Sequence, residues 1–108
     1  MKIVDDEVMS QHITRLVEDE IAAWDTTAAP DAAHLEHFQQ RRVRKPRPIT
    51  VNFSGGITQT CWSVTRSDGS YQVVYLPTAG YFSLCVASDF GPLDIGVHGP
   101  AIKCFGAV

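Results

Sequence analysis

Apolar residues return at three- and four-residue steps from Val8 to Trp24, through Met9, Ile13, Leu16, Val17 and Ile21. That spacing predicts an amphipathic helix over about 5–25. Ser10, Gln11, Thr14, Arg15, Glu18 and Asp19 supply its wet face, and Asp5, Asp6 and Glu7 crowd a first turn where acids complement the helix dipole. The stretch DTTAAPD breaks the period, and Pro30 or Asp31 opens a second helix over about 30–42 with Leu35 and Phe38 on its apolar side. Arg41 and Arg42 suit its C-terminus, and Pro46 and Pro48 bar its continuation.

From Ile49 onward the period is two. PITVNF alternates Ile49, Val51 and Phe53 against Thr50 and Asn52, which predicts a half-buried strand, and SGG follows as a bend. TCWSVTR and SYQVVYL flank Asp68-Gly69, a two-residue hairpin signal that sets Ser67 opposite Ser70, Val64 opposite Val73 and Trp62 opposite Tyr75. PTAG reverses the chain into YFSLCVAS, with Phe82 opposite Tyr75 and Leu84 opposite Val73 if Leu76 meets Tyr81. DFGP leads into LDIGVH, and Gly99-Pro100 into AIKCF, read as a further strand.

These registers collect Trp62, Val64, Tyr71, Val73, Tyr75, Phe82, Leu84, Val86, Leu93, Ile95 and Val97 on one face, for which the stripe of the first helix is the natural cover. The opposite face shows Cys61, Ser63, Thr65, Gln72, Val74, Leu76, Tyr81, Ser83, Cys85, Ala87, Asp94, Gly96, His98, Lys103 and Phe105. A solvated sheet face carries more charge than this, so that face needs a cover of its own. Curvature into a half-barrel, the second helix, a ligand or another subunit would each provide one.

Composition narrows the class. With 44% hydrophobic and 19% charged residues in 108, the chain reads as one globular domain over 1–108. The sheet then occupies about 49–106. No apolar run approaches the roughly eighteen residues of a membrane span. The segment MKIVDDEVMSQ lacks a secretory signal, which points to the cytoplasm. Cys61, Cys85 and Cys104 are odd in number and widely spaced, without a Cys-x-x-Cys pair. Reduced, buried thiols are expected, and no disulfide framework.

Charge is unevenly spread. Nine acids fall in the first 37 residues against Lys2 and Arg15, whereas Arg41, Arg42, Arg44, Lys45 and Arg47 crowd a proline-containing connector at 41–48. Such a run can serve an anionic partner or balance the acidic helix before it. No aromatic interrupts it and the whole chain carries −3, so nucleic acid is not expected and local charge balance is the simpler reading.

Three constellations carry candidate chemistry. Cys85, Asp94 and His98 share the second face; pairing Cys85 with Asp94 sets His98 opposite Tyr81, and a slip of two sets it opposite Ser83. Nucleophile, carboxylate and imidazole are the types that covalent catalysis needs, without a local signature to fix their order. Asp31, His34 and His37 stand at steps of three, not the four of helical metal sites, and His12 has no element bringing it to them, so no metal and no cofactor is expected. The SGG loop lacks the following helix that would turn it into an anion cradle.

The expected fold is α+β: two N-terminal helices, then a five- or six-stranded antiparallel meander wrapping the first helix. In element order this resembles cystatin-like and nuclear-transport-factor-like rolls, or a half-barrel. The expected function is a non-catalytic binding module that uses its second sheet face for a partner or a homodimer. The alternative is a small enzyme or ligand carrier with a pocket lined by Tyr81, Ser83, Cys85, Asp94 and His98.

Overall fold

The computed structural model describes residues 5–108. Lys2, counted among the N-terminal charges above, lies outside them. Helix α1 runs over Asp6–Ala23 and α2 over Ala29–Arg41. The Asp5 carboxylate caps α1 by accepting from the Glu7 amide at 2.9 Å. Pro30 sits in the first turn of α2, where its missing N–H costs nothing. Between the helices, Trp24 is already extended, and its indole Nε1–H donates to the Asp31 carbonyl at 3.0 Å, which fixes how α2 leaves α1.

Five strands follow: β1 (Pro48–Phe53), β2 (Ile57–Ser63), β3 (Tyr71–Leu76), β4 (Tyr81–Ser88) and β5 (Gly91–Gly99). Each is antiparallel to the next, and β5 returns beside β1 in the parallel sense at Asn52 and Leu93, closing a barrel. The class is α+β as expected, but the sheet closes on itself and does not wrap α1. Helix α1 packs on the outer wall instead. The reason lies in the second face. Val51, Cys61, Val74, Leu76 and Cys85 form a buried cluster of their own, bordered by Ile49, Phe53 and Tyr81. Closure turns these side chains inward, with Asn52 and Leu93 as the pair that joins β1 to β5 at the seam.

The outer face carries the other core. Trp62, Val64, Val73, Tyr75, Phe82 and Leu84 bury against Ile13 and Val17 of α1 and Phe38 of α2. Val73, Val74, Tyr75 and Leu76 are consecutive and all buried, because β3 has helices on one side and the barrel interior on the other.

The registers Trp62–Tyr75, Tyr75–Phe82, Val73–Leu84 and Leu76–Tyr81 are those read from the turns. The tip of the β2–β3 hairpin differs. Val64 and Thr65 both donate their amides to the Val73 carbonyl, and this bulge moves the turn so that Asp68, not Ser67, closes it with Tyr71. The basic connector is also more ordered than a linker. It runs antiparallel along the end of β2, with Val43 N–H bonded to Val64 O and Ser63 N–H to Arg47 O, both at 2.8 Å.

AIKCF is not a strand. Residues Ala101–Cys104 form a helical turn, α3, so the sheet has five strands and not six. Lys103 therefore points to solvent, and Phe105 packs edge-on against Phe38 at 5.6 Å, away from the second face. Two residues from the helices hold α3. The Glu20 carboxylate accepts from the amides of Ala101 at 2.9 Å and Ile102 at 3.0 Å. His34 Nε2–H donates to the Ile102 carbonyl at 2.7 Å. These contacts satisfy backbone groups that a strand would have paired in a ladder. Replacing Glu20 with Ala is expected to cost about 1–3 kcal/mol in urea unfolding, since two part-buried amides lose a charged acceptor. Glu20→Gln, which keeps one acceptor oxygen, should lose less.

Candidate functional site

The second face does bring Tyr81, Ser83, Cys85, Asp94 and His98 together, by a device that neither simple register contains. Cys85 pairs with Asp94 while Ser83 pairs with His98, because β5 is irregular opposite Leu84 and Cys85. Ile95 and Gly96 are the surplus residues. Gly96 takes φ +80°, a conformation open to glycine at little cost, and its amide lies 3.4 Å from Asp94 Oδ1. Both registers weighed from the sequence are thus present, one on each side of the bulge.

Asp94 is the hub. Its side chain is only 9% exposed. Oδ1 accepts a short hydrogen bond from the Ser83 hydroxyl. His98 Nε2 lies 3.1 Å from Oδ2 and 3.2 Å from Oδ1. The His98 ring stacks on Tyr81 with centroids 4.5 Å apart and planes 21° from parallel. Its side chain is 33% exposed, so the imidazole stands at the barrel wall and not in its interior.

This arrangement has the right types in the wrong order for nucleophilic catalysis. A serine nucleophile gives its proton to an imidazole, which a carboxylate orients from behind. Here the carboxylate lies between the two, and the Ser83 hydroxyl is spent on Asp94. Nor is a thiol activated. Burial, then the nearby Asp94 charge, pushes Cys85 up to about 12 and Cys61 up to about 11. Burial, then Glu20, brings Cys104 to about 11. At neutral pH all three are thiols, buried and unpaired as expected. The cluster satisfies buried polar groups and pins a bulge.

The basic run resolves into distinct contacts. Arg42 forms a short ion pair with Glu18, and Lys45 Nζ reaches Glu7 Oε1 at 2.7 Å, so two of the five cations meet acids of α1. The Lys45 hydrogen bond and charge hold the Glu7 carboxyl below its usual value. Arg41 turns the other way and donates to the Ser67 carbonyl at 2.7 Å. Arg44 and Arg47 are exposed, with Arg44 beside Arg15 and Lys45 in a shallow groove along α1.

Asp31, His34 and His37 do not converge. His34 is committed to Ile102 and lies between the rings of Trp24 and Phe105, with centroids 5.7 and 5.6 Å away. His12 meets the Tyr75 ring edge-on at 6.2 Å. Among the described residues no cluster of three or more His, Cys, Asp or Glu side chains could hold a metal ion. Among them, too, no helix is long and apolar enough to cross a membrane. Sequence reasoning missed Glu20, whose partners lie 81 and 82 positions away. It also missed Asn52, whose amide Nδ2–H₂ donates to the carbonyls of Phe90 at 2.8 Å and Pro92 at 3.2 Å.

Measurements on the thiols and on the basic run check this description. Ellman's reagent should modify the native thiols slowly at pH 8 and all three at once on unfolding. Folding raises each thiol's value above the unfolded 9.0, so the stabilisation is whole below pH 9 and fades as pH rises through 11 to 12. Urea midpoints should accordingly fall above pH 9. For the basic run, reversing Arg44 and Lys45 to Glu should shift stability by about 1 kcal/mol or less, because exposed pairs are individually weak. Binding to random DNA at physiological salt should stay weaker than about 10⁻⁴ M. Compared with protein-family models, curated proteins and solved structures, the chain finds no match, so geometry alone carries its functional reading.

Proposed function

We propose that this chain is a non-catalytic binding module that pairs with a second copy of itself through an exposed patch beside the β1–β5 seam that bears Phe90 and Ile57. One observation carries the reading: Phe90 is 87% exposed and Ile57 59% exposed. The β1–β2 and β4–β5 turns belong to opposite ends of the up-and-down meander, and the seam between β1 and β5 brings them near each other. Ile57 pairs with Phe53 at the β1–β2 connection, and Asn52, one residue earlier, is bonded to the Phe90 carbonyl. A large aromatic held on an anchored turn, with an aliphatic neighbour, is the kind of group that interfaces bury.

Charge supports self-pairing. The β1–β2 connection at 54–56 and the Ile57 and Thr58 that follow it are uncharged, and Asp89 is the one acid of the β4–β5 turn. Two copies of such a patch meet with little repulsion, and twofold pairing is the commonest closed assembly. Most of the second sheet face, where a dimer contact was first expected, lies inside the barrel, and the larger exposed apolar side chains Phe90 and Ile57 favour a contact elsewhere. Three buried, unpaired thiols suit a reducing compartment such as the cytoplasm, and no cofactor is invoked.

The alternative of an enzyme or ligand carrier built on Tyr81, Ser83, Cys85, Asp94 and His98 has less support. Ser83 and Cys85 are almost wholly buried, and the Asp94 carboxylate is occupied by its neighbours. Sedimentation at tens of micromolar is expected to give a dimer. Phe90→Ser and Ile57→Ser should each weaken pairing by about tenfold or more, as loss of a central interface anchor does. A monomeric wild type at that concentration, or a dimer indifferent to both substitutions, overturns the reading.

A further inference from the structure

The exposed ring of Phe90 stands on a turn that is held more firmly than its length requires. Asp89 and Phe90 are the two residues between β4 and β5, and Ser88 pairs with Gly91 across their base. Gly91 takes φ +103°, which lets the chain reverse at little cost. Short turns are ordinarily built from Gly, Pro, Asn, Asp and Ser, and Phe90 is the departure here. Its side chain adds little to the chain's own core, since the residue is 87% exposed.

Both backbone groups of Phe90 are nevertheless tied by side chains. Its N–H donates to Ser88 Oγ at 3.2 Å, and the same hydroxyl donates to the Gly91 carbonyl at 2.6 Å. Its carbonyl accepts from Asn52 Nδ2 at 2.8 Å, and Asn52 reaches on to the Pro92 carbonyl at 3.2 Å. Hydrogen bonds at an exposed turn gain little net, because water offers the same partners. Holding this turn therefore does little for the free chain. A ring already fixed in place, however, loses less freedom when a partner covers it. We infer, on the basis of the self-pairing proposed above, that Ser88 and Asn52 are positioning residues for Phe90. They hold its turn in the pairing conformation before the second copy arrives, and so set the affinity through the ring.

Ser88 is the cleaner probe, because Asn52 also braces the seam between β1 and β5. In sedimentation, Ser88→Ala should weaken the dimer about three- to tenfold, the cost of ordering one more flexible segment. Ser88→Thr, which keeps the hydroxyl, should pair like the wild type. In a Phe90→Ser background, Ser88→Ala should change the dimer Kd by less than about twofold, because there is no ring left to position. The Ile57→Ser chain keeps Phe90 and pairs weakly, so it reports the turn before pairing. Its Phe90 amide should have a backbone order parameter of about 0.85, falling to about 0.6 when Ser88→Ala is added. Asn52→Ala should move the Kd and the order parameter in the same directions. A dimer that depends on Phe90 but is indifferent to Ser88→Ala overturns the positioning and leaves the self-pairing standing. So does a Ser88→Ala effect that persists in full without Phe90, or an order parameter below about 0.6 with Ser88 intact. A monomeric wild type overturns the self-pairing and the positioning together.

Discussion

Both faces of this sheet are apolar, and only one has helices to lie on it. Val73 and Tyr75 meet α1 and its neighbours, whereas Val74 and Leu76 point the other way and need an equal shelter. Curling five strands until the second face meets itself provides that shelter without a further element. The positions of Asp94 and His98 and the bulge beside them follow from that closure. A flat sheet would have left Ser83, Asp94 and His98 on a solvated surface. The barrel instead makes Asp94 a part-buried carboxylate that must find donors, and it finds Ser83, Gly96 and His98.

Carboxylates do much of the tying in this molecule. Asp94 holds the bulge of β5, Glu20 holds the amides of α3, and Asp68 holds the hairpin tip by accepting from Ser70 and Tyr71. Glu20 and Asp68 gather backbone amides, and Asp94 gathers the Ser83 hydroxyl, the His98 ring and the Gly96 amide, a use in which the ionised form is worth about twice a neutral acceptor. In the Asp94 cluster the carboxylate stands between hydroxyl and imidazole, so Ser83 faces Asp94 and not His98.

Local signals were legible and remote ones were not. The helical period placed α1 and α2 within a few residues, and PTAG gave the β3–β4 register because a tight turn dictates what lies opposite what. The Trp62–Tyr75 register was read from a turn closed by Ser67 and Ser70, and it holds because the bulge at Val64 and Thr65 offsets the shift of that turn to Asp68 and Tyr71. AIKCF has a strand's composition yet forms a helical turn, since Glu20 and His34 supply its caps from 81 and 68 positions away. The candidate site was readable as a set of residues sharing a face. Its geometry was not, because the bulge lets two incompatible registers coexist. The undercharged second face signalled that it was covered, but closure and a partner subunit leave the same mark on a sequence.

The number of strands has one more consequence. In a meander of alternating direction, an odd count makes the first and last strands run the same way, so the barrel can close only through a parallel contact. Here that contact is a single residue pair, Asn52 with Leu93, reinforced by the Asn52 side chain. Every other junction between neighbouring strands has a longer ladder or a connecting turn. The wall between β1 and β5 therefore has the shortest ladder of the five junctions and is held mainly by side chains. In native-state hydrogen exchange its amides should lose protection in small, local openings, while β3 and β4 exchange only when the whole chain unfolds.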